Sequence, residues 1–160
     1  DGFPIVLDLV GSAYPPALSK LKAAIDRWPI AIECVCYHGE IPYKELHQQY
    51  KQADLGVFAS SCENLPNILI ETMASGLPIA CSNRGPMPEV LQKAGVYFNP
   101  EKPEDIERAL HTLIVSEKLR EEKAKASYQL AQDYSWECCA EQTFGFIYEI
   151  AKRYACQYPR

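Results

Sequence analysis

A chain of 160 residues, 48% of them apolar, is long enough for one compact domain with a true core. Its 16 Lys and Arg against 21 Asp and Glu leave a formal charge of −5 with no long basic run, which disfavours nucleic acid as the main partner. No apolar run reaches transmembrane length, and no signal peptide is visible, although an internal piece of a longer chain would have lost one.

The pattern then alternates strand and helix. Residues 5–10 read as a buried strand ending at Gly11-Ser12, and residues 15–27 as an amphipathic helix. A second strand is expected over 31–37, ending at His38-Gly39, and a helix with a polar face over 43–52. Residues 54–60 form a third strand, followed by a loop and a helix that Gly76 and Pro78 stop. Short strands are expected over 78–82 and 96–99, with a short helix over 86–93 between them. From Pro103 the chain reads as helical: 104–115, then a helix capped by Ser116 running to about Asp133, then one capped by Ser135 over 136–154. The apolar side of the last includes Cys139, Phe146, Ile147 and Ile150. Repeated strand–helix units with apolar strands predict an α/β fold, a Rossmann-like doubly wound parallel sheet covered on both faces, with a helical C-terminal segment. Ligands of such sheets bind off the carboxyl ends of the strands, where Gly11-Ser12, His38-Gly39, Ser60-Ser61 and Ser82-Asn83 fall.

The seven cysteines are Cys34, Cys36, Cys62, Cys81, Cys138, Cys139 and Cys156. Cys34 and Cys36 are expected to share one face of a strand. No spacing makes a two-plus-two zinc set, and His38, His47 and His111 are scattered, so the expected state is buried, reduced thiols in a cytosolic protein with no metal.

The most informative segment is Cys62-Glu63-Asn64-Leu65-Pro66-Asn67-Ile68-Leu69-Ile70-Glu71-Thr72-Met73-Ala74-Ser75-Gly76-Leu77-Pro78. Pro66 suits the first turn of the helix, where its missing N–H costs nothing. Glu63 then lies in the loop at the helix mouth and Glu71 further along the helix. Asn67, Glu71 and Ser75 form a narrow polar stripe on a helix that is otherwise apolar. The free N–H groups of a helix start favour phosphate, and carboxylates accept hydrogen bonds from sugar hydroxyls. Together they suit a ligand with both, a nucleotide-sugar.

This segment, with Ala53-Asp54-Leu55 before it and Arg84-Gly85-Pro86-Met87-Pro88-Glu89 after it, resembles family 4 glycosyltransferases of the GT-B fold. The likeness runs from Leu9-Val10-Gly11 to Tyr134-Ser135-Trp136 and is to the carboxyl-terminal half, which holds the activated sugar donor. The resemblance implies that Glu71 receives the ribose hydroxyls of the donor nucleotide and that Glu63 contacts hydroxyls of the transferred sugar, the one catalytic candidate. It implies that backbone N–H groups of Asn64, Leu65 and Asn67 face the sugar or the pyrophosphate. Gly11 and Gly39 are then close-approach positions near phosphate and nucleobase, and Glu89 a structural acid. The family domain opens with a central strand and a basic pair, for both of which this chain starts too late. Residues 1–160 are therefore expected to be a single donor-binding domain, a fragment lacking that first strand and the N-terminal acceptor domain.

The activity implied is retaining transfer of a sugar from a UDP-, GDP- or ADP-sugar to a glycan or lipid-linked acceptor. It needs no metal or other cofactor, and the chain indeed has no Asp-x-Asp pair to hold one on a diphosphate. The expected location is cytoplasmic, with peripheral contact to the inner face of a membrane left open. The isolated chain is expected to bind donor and catalyse nothing. A nucleotide-sugar epimerase of the same fold and a non-catalytic nucleotide-binding module are the rival readings.

Overall fold

The computed structural model describes residues 2–157. In chain order its elements are β1 (Leu7–Val10), α1 (Pro15–Arg27), α2 (Pro29–Cys34), β2 (Val35–Gly39), α3 (Tyr43–Gln52), β3 (Gly56–Phe58), α4 (Asn67–Ala74), β4 (Ile79–Ser82), α5 (Met87–Leu91), β5 (Gly95–Phe98), α6 (Pro103–Ile114), α7 (Glu117–Ala131) and α8 (Trp136–Gln157), with a 3-10 turn over Gln92–Ala94. All strand pairing is parallel, as the alternation of strand and helix predicts. The strands form two sheets rather than one: β1 with β2, and β3-β4-β5 with β4 in the middle. The chain divides into two compact units, one up to Gln49 and the other from Tyr50 onward.

In the first unit β1 and β2 run in register from Leu7 opposite Val35 to Leu9 opposite Tyr37, with an irregularity before Val10 meets Gly39. None of the described residues before Tyr50 is buried. This corrects the expectation of a buried strand over 5–10. Leu7 and Val10 are about two-fifths exposed (40% and 39%), because a parallel strand is buried only when other strands and layers cover it, and among the described residues β1 pairs with β2 alone.

Residues 31–37 do not form the single strand expected of them. Pro29 occupies the first turn of α2, and the helix persists to Cys34 before β2 begins. The apolar residues Ile30 and Ile32 alternate like a strand, but proline at a helix start with Trp28 as N-cap takes precedence locally. Cys34 and Cys36 therefore lie on different elements and do not share a strand face.

The core lies in the second unit. All four residues of β4 are buried, and their side chains alternate between two clusters. Ile79 and Cys81 join Leu69 and Met73 of α4, Met87, Val90 and Leu91 of α5, and Ala131 of α7. Ala80 joins Phe98 of β5 with Ala109 and Leu113 of α6. The middle strand is thus covered on both faces by helices, the doubly wound arrangement on a three-stranded scale. Ser116 and Ser135 cap as expected: their hydroxyls accept from the N–H of Leu119 at 3.3 Å and of Cys138 at 3.1 Å. The anticipated apolar side of α8 is not covered, and Cys139, Phe146, Ile147 and Ile150 are all exposed. Among the cysteines only Cys81 is buried. Cys34 and Cys138 are half-buried, Cys36, Cys62, Cys139 and Cys156 are exposed, and all seven are free thiols.

Candidate functional site

The loop after β3 and the helix it feeds carry the two predicted acids. Pro66 is the N-cap residue rather than the first helical one, and α4 begins at Asn67. The first backbone bond into the helix is Ile70 N–H to the Pro66 carbonyl at 3.1 Å. The Asn67 N–H turns back to the Leu65 carbonyl at 2.9 Å. Among the described residues no backbone partner is seen for the N–H groups of Ile68 and Leu69, the orphan donors of a helix start. The helix mouth at the strand tip therefore offers N–H donors to an anion.

Leu69, Thr72 and Met73 anchor the inner face of α4 against β3 and β4. The Thr72 hydroxyl is used within the helix, donating to the Ile68 carbonyl at 2.7 Å. Asn67 and Ser75 are exposed and Glu71 half-buried on the outer face, which is the predicted polar stripe. The Glu71 carboxylate accepts from the Tyr50 hydroxyl at 3.4 Å, a long bond that leaves acceptor capacity for other donors. The Ser75 hydroxyl donates to the Glu71 carbonyl at 2.8 Å and so stays within its own turn. Tyr50 is absent from the expectations because it lies 21 positions from Glu71 and no local pattern joins the two.

Glu63 is half-buried, and among the described residues no hydrogen bond or ion pair of its carboxylate is seen. Asn64 and Leu65 beside it are exposed. The loop is braced by Ser60, whose hydroxyl donates to the Cys62 carbonyl at 3.2 Å. Glu89, expected as a structural acid, is exposed in the first turn of α5, and no side-chain hydrogen bond or ion pair of it is seen among the described residues. A cavity of about 180 Å³ lined by Asn83, Tyr97, Asn99, Asp105, Arg108 and Thr112 contains neither acid.

Gly11 and Gly39 belong to the first unit, at the carboxyl ends of β1 and β2. Both have positive φ, 133° and 69°, and the Gly11 N–H donates to the Gly39 carbonyl at 2.8 Å. No atom lies within 4 Å of a Cβ built on either, so backbone conformation rather than crowding demands glycine. The Tyr37 hydroxyl donates to the Gly11 carbonyl at 3.1 Å, and His38 meets Asp8 at 2.6 Å on the same two strands.

No group of three or more His, Cys, Asp and Glu side chains that could hold a metal occurs among the described residues. No described helix is long and apolar enough to cross a membrane.

The chain is 28% identical over 159 residues to the sulfoquinovosyl transferase SQD2 of Arabidopsis thaliana, an alignment covering 83% of this chain and 31% of that protein. It is 30% identical over 107 residues to the O-antigen chain mannosyltransferase B of Escherichia coli, covering 67% of this chain and 28% of that one. It thus spans about a third of the length of these relatives. Anabaena Alr3699/HepE, solved in complex with UDP, superposes over 91% of this chain and 41% of its own with a TM-score of 0.81 at 18% identity, a likeness of fold. The C-terminal domain of the LpcC group 1 glycosyl transferase of Francisella tularensis superposes over 79% of this chain and 68% of its own, with a TM-score of 0.70 at 26% identity. The fold is accordingly that of a GT-B glycosyltransferase domain. The family model described as "Glycosyl transferases group 1" matches residues 4–130, a span that takes in both acids and all five strands, and the chain belongs to that family.

Proposed function

We propose that this chain is the donor-binding part of a retaining glycosyltransferase. The supporting observation is the juxtaposition on one loop and helix of an open helix mouth and two half-buried acids, one of them, Glu63, without a side-chain partner among the described residues. In this reading Glu71 takes the ribose hydroxyls, with Tyr50 orienting its carboxylate. The N–H groups at the start of α4, with those of Asn64 and Leu65, meet the diphosphate or the sugar. Glu63 takes hydroxyls of the transferred sugar. Asn67 contributes its exposed side-chain amide, since its N–H is engaged.

As the sugar leaves, negative charge grows on the diphosphate. Preorganised N–H dipoles at the α4 start lower the energy of that charge without reorganising. The reading assigns no resident cofactor. The acceptor, a glycan or a lipid-linked one, is held by chain outside these 160 residues, and the work is done on the cytoplasmic side. Two relatives with transferase names favour transfer over epimerisation. Structural neighbours solved with UDP, with UDP and glucose, and with UDP and GlcNAc make a uridine donor the first to try.

The test is thermal shift of the 160-residue chain against UDP-, GDP- and ADP-sugars, with Glu71→Ala alongside. A donor at a hundred times its Kd stabilises by about 2.7 kcal/mol. Loss of a charged acceptor for two hydroxyls costs about 3 kcal/mol or more, so Glu71→Ala weakens binding by roughly 100-fold. Unaltered binding in Glu71→Ala, or no binding of any of these donors, sinks the reading. The configuration of the glycosidic bond made by the complete enzyme tests retention, and chelator treatment tests independence from metal.

A further inference from the structure

The turn after β4 comes close to the Glu63 loop. Gly85 has φ +53°, and a Cβ built on it would meet the Glu63 carbonyl oxygen at 3.8 Å and the Met87 Cε at 3.9 Å. Met87 is fully buried, so this side of the turn rests on the core. The start of the turn is fixed as well. The Arg84 N–H donates to the hydroxyl of Ser82, itself fully buried, at 3.2 Å, and the Asn83 N–H donates to the Phe98 carbonyl at 2.9 Å.

The Arg84 side chain ties this turn to the one after β5. Its Nη2 donates to Asn99 Oδ1 at 3.5 Å and to Glu101 Oε2 at 3.3 Å. Asn99 Oδ1 also accepts the Glu101 N–H at 3.1 Å, so the acceptor is held from its own side. The Arg84 and Glu101 side chains are 46% and 70% exposed, and such pairs add little to global stability. What they can set is local orientation. Glu71 is held independently, through Tyr50.

We propose that Arg84 is a positioning residue: its ties to Asn99 and Glu101 hold the turn after β4 as a backstop for the Glu63 loop, and so aim the Glu63 carboxylate at the sugar half of the donor. This rests on the donor-site reading above. It predicts an effect on the sugar and none on the nucleotide.

The test is calorimetric titration of the 160-residue chain with UDP and UDP-glucose, GDP and GDP-mannose, and ADP and ADP-glucose, carrying forward the pair that binds. Arg84→Met is expected to weaken the nucleotide-sugar by about 5- to 10-fold, as for one misdirected hydrogen bond to a charged group, while the free nucleotide stays within about 2-fold. Glu101→Ala reproduces this split without touching Arg84, Arg84→Lys recovers part of it, and all three variants keep the parent Tm. Equal weakening of nucleotide and nucleotide-sugar in Arg84→Met, or tighter binding of both in Glu101→Ala, makes Arg84 a direct phosphate ligand and overturns the proposal. No change in either ligand overturns it too. If Glu71→Ala leaves binding intact or no pair binds, the donor-site reading itself has failed and the proposal falls with it. If Glu71→Ala behaves as expected and Arg84→Met does not, only the proposal falls.

Discussion

Gly56→Ala tests how β3 sets the position of the glutamate-bearing helix. A Cβ on Gly56 would stand 2.5 Å from Thr72 Cγ2, far inside van der Waals contact, and 3.7 Å from Ile79 Cγ1. Thr72 cannot swing aside cheaply. It is buried, β-branched and stiff at χ1, and its hydroxyl is engaged with the Ile68 carbonyl at 2.7 Å. The helix or the strand must therefore move, and overpacking of this kind costs about 1–3 kcal/mol. For a unit of this size that is a fall in Tm of roughly 4–15 °C. The atom responsible can be deleted. Thr72→Ser removes Cγ2 and keeps the hydroxyl, so alone it leaves a methyl-sized void costing about 1 kcal/mol. In the double variant the alanine methyl fills the void. Urea denaturation of the four proteins should give a coupling of about 1–2 kcal/mol in favour of the double variant. Additive losses, or a Gly56→Ala protein as stable as the parent, would refute the packing argument. Because Glu71 neighbours Thr72 on α4, nucleotide affinity should fall and recover in parallel with stability.

Two further predictions concern the core. Burial pushes the Cys81 thiol from 9.0 up to about 12, and burial together with the neighbouring Cys81 pushes the Tyr97 hydroxyl from 10.0 to about 12. A raised folded-state pKa stabilises the protein below the unfolded pKa and loses that contribution as pH rises toward the folded one. Stability measured by urea unfolding should therefore hold from neutral pH to about pH 9 and then fall, by on the order of 2 kcal/mol from Cys81 by about pH 10.5. Cys81→Ala should flatten that fall, and iodoacetamide near pH 8 should label Cys36, Cys62, Cys139 and Cys156 while sparing Cys81. At the junction of α7 with the turn before β4, the buried Ser127 hydroxyl lies 2.9 Å from the Leu77 carbonyl and 3.0 Å from that of Ala124. Ser127→Ala should cost about 1–2 kcal/mol in the same assay, by leaving the Leu77 carbonyl without this buried donor.

What could be read from the residues was what is decided locally. Residues 15–27 and 43–52 form helices because their apolar positions repeat at helical spacing, and β4 is buried because Pro78 to Ser82 offers no charge to either face. The Glu63 loop and Glu71 helix were legible for the same reason, since Pro66, Gly76 and Pro78 mark their ends within one short segment. Short apolar runs are ambiguous between strand and helix, and residues 31–34 are such a run, which Pro29 turns into a helix. Burial in the first unit and on α8 failed differently. Periodicity tells which face could be covered, not whether anything covers it, and Phe146, Ile147 and Ile150 remain in solvent. Contacts across long stretches of chain, Tyr50 to Glu71 and Arg84 to Glu101, left no trace in spacing.

The two acids are held in different ways, and that difference bears on how a donor would bind. Glu71 rides on a helix whose opposite face is locked by Leu69 and Met73, both wholly buried, so its position is set by close packing before any ligand arrives. Glu63 sits on a loop braced by one serine–carbonyl bond, with the Gly85 turn close by, and its carboxylate has no protein partner among the described residues. Rigid elements hold a binding group more accurately than loops do. In the proposed donor site a nucleotide would therefore meet a formed site at Glu71, whereas the sugar would meet a carboxylate that the proposed role of Arg84 makes dependent on the neighbouring turn. Exchange of the sugar specificity should accordingly be easier through the turn after β4 than through α4, where a change large enough to alter Glu71 must also disturb the core.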